Sequence, residues 1–366
     1  GIYWYHPHHR EDIQQELGLY GNLFVESLDR DYYGPADRDE VLMLDDILLD
    51  EDGLVDFGDG SANYMLMGRF GNVPLVNGEP RYTLAVKDGE VVRFHLTNAS
   101  NTRTFNISFI ANEWYESHVR GVAEPLKEAA NGRLPIKVVA TDVSKFEREE
   151  WAESVVIAPA ERYVIEVHFL GKRAGELLSG QESYLLVNQV QGINHRQGVF
   201  RPEISVLGEI DVRETEPNRT RSVEFEKLRQ NADVIADIDQ YRPLFDKTVD
   251  HELLLTLEID ELPSPIEQSM LYDWIYFNPV EWTGTMPMMN WATTAKEIRW
   301  VLRDPATGFE NEQIDWTFGL DDVVKVRIHN DRSAFHAMQH PIHIHGQRFL
   351  VLSQDGVPND NLAWKD

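Results

Sequence analysis

Cysteine is absent from this chain of 366 residues. Without a thiol, the chain cannot form a disulfide, a zinc–thiolate site or a cysteine nucleophile. A blue copper site needs a thiolate ligand, so such a site cannot be complete within these residues. Metal binding by this chain therefore depends on other residue types, above all histidine.

Long apolar runs and positive charge are also scarce. No run of about 18 apolar residues is present, so the sequence predicts no membrane span. The chain has 34 lysines and arginines against 62 aspartates and glutamates, a formal net charge of −28. This charge repels phosphate backbones and disfavours nucleic acid as a partner, whereas an acidic surface favours solubility. A glycine-rich phosphate loop and a Gly-x-Ser-x-Gly elbow are missing, so a serine hydrolase is not indicated.

Apolar residues make up 42% of the sequence and occur mainly in short runs separated by turn residues. This pattern predicts an all-β protein built from sandwiches, and the length suits two or three domains. The first predicted strands cover residues 2–5, 19–28, 41–49, 105–110, 136–140, 155–157, 163–169 and 184–189. Two more strands flank an Asp88-Gly89 turn within residues 80–98.

A change in composition separates two β-rich blocks. Residues 213–247 are rich in Arg, Glu and Gln, and they predict a partly helical linker in which residues 223–241 allow a helix. The second block begins at residue 248, and its predicted strands start at residues 253, 298, 323 and 349. Its segment 320–328 resembles segment 86–94 of the first block, which indicates two distant copies of one sandwich.

Six of the 13 histidines lie in two short clusters. The clusters contain His6, His8 and His9 near the start, and His340, His343 and His345 near the end. On a strand, both histidines of a His-x-His pair face the same side, with Cα atoms about 6.6 Å apart. This spacing suits two neighbouring ions, so two facing pairs can hold two metals between them. Imidazoles without a thiolate suit copper, zinc, iron or nickel.

His340 is predicted to serve a different site. It lies three residues before His343, so an extended chain would turn it to the opposite face, although Pro341 makes the segment irregular. One short segment would then connect two metal sites, an arrangement that favours electron transfer between them.

Several other interpretations stay open at this point. A single His-x-His pair is common by chance, whereas two pairs beside aromatic residues and glycine favour metal binding. A cupin site would need a glutamate shortly after the pair, and residues 346–349 contain none. A hydrolytic zinc site remains an alternative. Glu11 and Asp12 can relay protons or act as solvated surface charges, and the second interpretation is favoured.

Other candidate residues are interpreted conservatively. The phrase Met286-Pro287-Met288-Met289 can bind Cu(I), but methionines more often fill gaps in a core. Near the second cluster, His336 and Met338 are assigned to packing. The isolated histidines are interpreted as structural: His95, His118, His168, His195, His251 and His329.

Two motifs in the sequence resemble those of the multicopper oxidase family. Residues 1–8, Gly-Ile-Tyr-Trp-Tyr-His-Pro-His, resemble the second copper motif, and the similarity continues through Gln15 and residues 18–21. Residues 340–349, His-Pro-Ile-His-Ile-His-Gly-Gln-Arg-Phe, resemble the third motif, which is highly specific. Short phrases at residues 76–78, 91–93 and 98–100 resemble the middle cupredoxin domain.

The resemblance implies that five histidines bind copper. His6 and His8 would bind the type 3 copper pair, His343 the type 2 copper, and His345 a type 3 copper. His340 would bind the type 1 copper, in agreement with the separate site argued above. The first and fourth motifs of the family, H-W-H-G and H-C-H, are not in these residues, so we expect them upstream and downstream.

The implied fold is all-β, with Greek-key cupredoxin sandwiches. Residues 1–33 would be the last strands of a first domain, and residues 38–212 a complete, copper-free second domain. Residues 213–247 would be the linker, and residues 248–366 a third domain truncated before its last strands.

The implied activity is that of a copper-dependent oxidase in the full-length protein. It would couple the one-electron oxidation of a phenolic, aromatic amine or metal-ion substrate to the reduction of dioxygen to water, in the periplasm or outside the cell. The chain as given would be inactive, because it lacks the cysteine of the type 1 site. A non-enzymatic copper-binding cupredoxin protein is the alternative.

Overall fold

The structure is a computed structural model. It describes residues 1–57, 64, 68–122, 125–171, 183–194, 199–213, 221–259, 298–331, 333–334 and 340–366. Met286 to Met289, His195, His336 and Met338 lie outside the described residues, so the interpretations given for them stay predictions.

Residues 1–24, which we call the ribbon, contain a pair of antiparallel strands. The ribbon consists of β1 (Ile2–Tyr5), helix α1 (Glu11–Gln14) and β2 (Gly21–Phe24). Tyr5 pairs with Gly21, and a β-carbon at Gly21 would overlap the Tyr5 ring, so glycine permits this close approach. Ile2 is buried against Val139 and Val164 of the following region, which holds the ribbon in place.

Residues 38–213 form a sandwich of two β-sheets. In chain order the strands are β3 (Arg38–Ile47), β4 (Leu49–Asp50), β5 (Gly53–Leu54), β6 (Val73–Val76), β7 (Tyr82–Lys87), β8 (Glu90–Asn98), β9 (Phe105–Ala111), β10 (Ile136–Thr141), β11 (Ser144–Ala152), β12 (Val155–Ile157), β13 (Arg162–Phe169), β14 (Ser183–Asn194) and β15 (Val199–Arg213). The six-stranded sheet has the order β11-β10-β13-β8-β3-β6, and the five-stranded sheet has the order β12-β9-β14-β15-β7. Strands β4 and β5 pair with each other beside the sandwich.

Aromatic side chains join the two sheets at the centre of the sandwich. Phe94 on β8 and Phe109 on β9 have ring centroids 5.2 Å apart, and Phe169 on β13 packs edge-on against both. All three rings are fully buried. Burial of a side chain of this size contributes about 1.5–3 kcal/mol to stability, so this cluster holds the sheets face to face.

The Asp88-Gly89 turn does not close a hairpin. The structure confirms strands on both sides of it, but β7 pairs with β15 whereas β8 pairs with β13 and β3, in the other sheet. Gly89 has a φ of +79°, and the Asp88 amide donates to the carbonyl of Arg213. A short turn of this kind can close a hairpin or connect two different sheets. Here it connects two sheets, because β7 and β8 each pair with strands that lie far away in the sequence.

Short helices cover outer surfaces of the sandwich. They are α2 (Asn112–Trp114), α3 (Pro125–Ala129), α4 (Ser222–Phe225) and α5 (Ala232–Asp239), with other helical turns at Tyr115–Val119, Ala130–Gly132 and Arg242–Leu244. A further helical turn, Asn311–Gln313, belongs to the last described region. The segment 223–241, for which the sequence allows a helix, is helical in part, because the chain between α4 and α5 is extended. There the backbone amide of Asn231 donates to the backbone carbonyl of Glu147, and the backbone amide of Glu149 donates to the backbone carbonyl of Arg229. The edge strand β11 thus takes the backbone groups that a continuous helix would have paired internally.

The last described region is also built from strands. They are β16 (His251–Ile259), β17 (Ile298–Arg303), β18 (Val326–Asn330), β19 (Phe349–Leu350), β20 (Ser353–Gln354), β21 (Val357–Pro358) and β22 (Trp364–Lys365). Strand β16 lies between β17, to which it is antiparallel, and β18, to which it is parallel. The strand expected from residue 323 begins only at Val326. The prediction of an all-β protein is confirmed. Among the described residues, no helix is both long and apolar enough to cross a membrane.

Candidate metal centre

His6 and His8 follow strand β1 directly. The strand predicted over residues 2–5 is confirmed as β1, and the His6/His8 pair lies just beyond it, where the pairing of β1 with β2 has ended. The two imidazole rings still lie close together, stacked with centroids 4.8 Å apart. The His6 ring also stacks on the Trp4 ring at a centroid distance of 4.3 Å, and this contact restrains its orientation.

Glu11 lies beside the first histidine pair. The chain turns at Arg10, whose φ of +49° is left-handed, and helix α1 begins at the next residue. One potential ligand atom from each of His6, His8 and Glu11 lies within 4.8 Å of the other two. Glu11 Oε1 is 3.4 Å from His8 Nδ1. The carboxylate is therefore placed to orient an imidazole or to join a metal site.

The second histidine pair reaches the same place from a distant part of the chain. His343 and His345 also lie outside any strand, with ring centroids 4.6 Å apart. The His345 ring is 4.6 Å from the His8 ring in an edge-on contact. His343 is near enough to His6 to affect its electrostatics. The structure thus brings together all four histidines of the two His-x-His pairs.

Burial lowers the pKa of His6 below its ordinary value, because desolvation disfavours the charged imidazolium. A hydrogen bond with the Pro7 carbonyl and the charge of Glu11 act in the opposite direction, while His8 and His343 lower the pKa further. A lowered pKa keeps the ring neutral, and a histidine has to be neutral to bind a metal ion.

His340 has a different neighbour from the other four. Its ring lies edge-on to the ring of Trp300 on β17, with centroids 5.0 Å apart. A separate site for His340 stays a prediction, and this contact is compatible with it. The sequence analysis gave Trp300 no role, since nothing near position 300 signals a contact with a residue so much later in the chain.

Arg348 joins the second histidine segment to helix α5 and to Trp364. Its guanidinium donates to Asp237 Oδ2 at 2.9 Å and lies 3.9 Å from the centroid of the Trp364 ring. Trp364 Nε1 donates to the same Asp237 oxygen at 2.7 Å. Asp237 lies on α5, within the segment predicted as a linker. The sequence analysis missed this contact because its partners lie 111 positions apart.

The side chains of this centre fit copper. Four imidazoles and one carboxylate, without a thiolate, form a donor set that suits Cu(II) and also zinc. A type 1 copper site cannot be completed by this chain alone, because the chain supplies no cysteine. The fold and the centre together define a class: a β-sandwich protein with a histidine site formed by residues from both ends of the chain.

Comparison with known proteins narrows this class. Residues 280–366 match the family model described as multicopper oxidase. No curated protein sequence matches the chain. Similarity to solved structures gives separate evidence about the fold of the chain.

Two multicopper oxidase structures align with the whole chain. The enzyme from Campylobacter jejuni, described as a metallo-oxidase, is 17% identical, with a TM-score of 0.58 over 100% of this chain and 63% of its own. The laccase-like CueO from Ochrobactrum sp. is 17% identical, with a TM-score of 0.53 over 100% of this chain and 67% of its own. McoA from Aquifex aeolicus is 20% identical over 71% of this chain and 49% of its own, with a TM-score of 0.47.

The family match thus covers residues 280–366 of the chain, and the likeness of the whole chain to the two structures concerns its fold. Its fold is the cupredoxin sandwich of these structures, which confirms the predicted fold class. The chain spans about half the length of McoA.

Proposed function

We propose that the whole protein is a copper-dependent oxidase. It couples the one-electron oxidation of a phenolic, aromatic amine or metal-ion substrate to the reduction of dioxygen to water. The observation that carries this proposal is the convergence of His6 and His8 with His343 and His345, because two His-x-His pairs in contact can hold neighbouring metal ions. The match of residues 280–366 to the multicopper oxidase family model favours copper over zinc.

Each histidine of the two motifs has a proposed role. His6, His8 and His345 bind the type 3 copper pair, and His343 binds the type 2 copper. His340 binds the type 1 copper, to which other parts of the protein contribute the thiolate. Bound copper supplies one-electron redox chemistry. The chain itself orients the ligands, through the Trp4 ring behind His6 and through the position of Glu11 beside His8.

The proposed domain organisation follows the sequence blocks. Residues 1–33 complete a first cupredoxin domain, residues 38–212 form a second domain without copper, and residues 248–366 belong to a third. Residues 213–247 connect the last two. The proposed location is the periplasm or the extracellular space, and the proposed partners are dioxygen and a small reducing substrate.

Metal titration of this chain tests the proposal. We expect the chain to bind Cu(II) in preference to zinc, with nitrogen ligands visible in the electron paramagnetic resonance spectrum. Binding of zinc with no uptake of copper would contradict the copper assignment.

Oxygen consumption separates this chain from the whole enzyme. We expect this chain loaded with copper to consume no oxygen with a phenolic dye, because it lacks the type 1 cysteine. Oxygen uptake by this chain alone would contradict the assigned roles. A non-enzymatic copper-binding protein is the second candidate, and the absence of cysteine favours it for this chain in isolation.

A further inference from the structure

A set of polar contacts seats the ribbon on the six-stranded sheet and on the loops beside it. Arg69 Nε donates to Glu16 Oε1 at 3.1 Å, and both side chains are buried. Gln15 Nε2 donates to the carbonyl of Ala99 at 2.6 Å. Gln15 and Glu16 lie about seven or eight positions after His8, so their contacts help to fix the position of the segment that carries the histidines.

Tyr20 makes the most unusual of these contacts. Its hydroxyl donates to Asp45 Oδ2, on strand β3 of the sandwich. Asp45 is 7% exposed, and its other oxygen accepts from the amide of Asp46 at 2.8 Å. Both groups that donate to this carboxylate are neutral. A buried carboxylate normally has a cationic partner, because desolvation of an unpaired charge is expensive.

The cations that face this pocket are engaged elsewhere. Arg69 pairs with Glu16, and Arg103 Nε donates to Asp46 Oδ2 at 2.6 Å. Within the described part of the chain, no salt bridge reaches Asp45. Asp45 therefore lies beside two carboxylates that have arginine partners, and the hydrogen bond that joins it to the ribbon comes from the Tyr20 hydroxyl.

Burial raises the pKa of Asp45 from its ordinary value of 3.8 to about 7. The hydrogen bonds from Tyr20 and from the Asp46 amide oppose this shift, and the negative charges of Asp46 and Glu16 add to it. The neutral acid is therefore favoured while the ribbon covers Asp45, which we call the seated state. The ionised carboxylate is better solvated in an opened state, in which the ribbon has moved away and water reaches Asp45.

We propose that Asp45, acting through Tyr20, is a proton-dependent positioning residue for the segment that carries His6 and His8. When Asp45 is protonated, it holds Tyr20 and keeps the ribbon seated on β3. When it ionises, the seated state loses stability relative to an opened state in which water reaches the carboxylate. The consequence for copper rests on the proposed function of His6 and His8, whereas the consequence for the ribbon does not.

The direction with pH follows from linkage. The opened state ionises near the ordinary value of 3.8 and the seated state near 7, so the seated state is fully favoured only below the lower value. As the pH rises between these two values, the equilibrium constant for opening the ribbon increases by up to about tenfold per pH unit, so the seated state becomes less favoured. Above the upper value it changes no further.

Hydrogen exchange of the ribbon amides tests the proposal in the full chain. Protection factors are measured for Ile2–Tyr5 and Gly21–Phe24 between about pH 5 and pH 8, with the β8 amides as an internal reference. We expect the protection of the wild-type ribbon to fall across this range, and Asp45→Asn to remove most of the fall. The proposal is overturned if Asp45→Asn keeps the wild-type dependence on pH.

Asp46→Asn is the matched control, since it changes the neighbouring carboxylate, which has Arg103 as its partner. We expect it to lower protection at every pH and to keep the fall. Tyr20→Phe covers the case in which Asp45→Asn does not fold, and its loss of protection is expected to be larger at pH 8 than at pH 5. Equal losses at both pH values would overturn the proposal.

Cu(II) affinity separates this inference from the proposed function. At pH 8 we expect Asp45→Asn to bind Cu(II) about tenfold more tightly than the wild type, the scale of effect seen for residues that orient metal ligands. If the wild type binds no Cu(II), the proposed function fails and the exchange result still decides the role of Asp45 in the ribbon. If both bind Cu(II) equally, positioning of the metal ligands by Asp45 is refuted.

Discussion

Strands β8 and β18 repeat one arrangement in two regions of the molecule. Each runs parallel to the first strand of its block, β3 or β16, which has an antiparallel strand on its other side. In the first sheet Arg93 lies opposite Asp39, and its Nη1 is 3.3 Å from Asp39 Oδ1. In the second sheet Arg327 lies opposite Glu252, and its Nη1 is 2.9 Å from Glu252 Oε1. The strands therefore share both their pairing and their cross-strand ion pair.

The histidine two positions later repeats as well. His95 Nε2 is 2.8 Å from Asp39, and His329 Nε2 is 3.6 Å from Glu252. This agreement supports the resemblance between segments 86–94 and 320–328 and extends it by one residue on the same face.

Burial is what differs between the two regions. The side chain of Arg93 is 8% exposed and that of Arg327 is 55% exposed, while His95 is fully buried and His329 is 46% exposed. Phe24 and Tyr33 pack on His95, from segments outside the sheet. The comparison teaches that strand pairing alone does not make an ion pair strong, because the contribution depends on what covers it.

The largest expected effect is the difference in stability loss between removing the buried arginine, Arg93, and removing the exposed arginine, Arg327. Arg93→Met leaves the buried Glu166 with Lys137, 3.5 Å away, as its remaining cation among the described residues, so we expect a loss of about 3 kcal/mol of stability, at the lower end for a broken buried pair. Arg327→Met removes an exposed pair and should cost about 0–1 kcal/mol. Chemical denaturation measures both, and equal losses would remove burial as the explanation of the difference.

A smaller effect is expected from the pH dependence of stability. Burial lowers the pKa of His95 below its ordinary value of 6.5, and the Asp39 carboxylate opposes this shift. A lowered pKa means that the unfolded chain takes up a proton first, so the stability is present above pH 6.5 and lost as the pH falls below it. The loss is up to about 1.4 kcal/mol per pH unit over the range of the shift.

His95→Gln removes this titration and should flatten the profile of unfolding free energy between about pH 7 and pH 5. The matched variant His329→Gln, at the exposed position, is the control for removing a histidine from this strand arrangement. A wild-type slope that persists in His95→Gln would assign the pH dependence to other groups.

Much of the fold was predictable because strand formation has local signals. Apolar runs such as Phe105–Ala111 and Ile136–Thr141 were identified within a residue or two of their ends. The pairing of strands was not predictable, as the Asp88-Gly89 turn shows, because partners such as β15 lie far along the chain. The broken helix near residue 230 has the same cause, since an edge strand competes for its backbone groups.

The candidate site divides in the same way. The histidine motifs are local patterns, so His6, His8, His343 and His345 were visible in the sequence, although both pairs lie outside the strands. The supporting contacts join residues that no short pattern connects. Asp45 and Asp237 carry no motif, and their roles depend on Tyr20 and Arg348 arriving from distant segments.

Coupling between the two histidine pairs tests the central claim most directly. Cu(II) affinity is measured for His6→Ala, His343→Ala and the double variant, with His329→Ala as a control outside the site. Because the pairs share one centre, we predict that the two losses are not additive and that the double variant departs from their sum by at least about 0.5 kcal/mol. Losses that add to within about 0.3 kcal/mol would show two independent sites and contradict a shared copper centre.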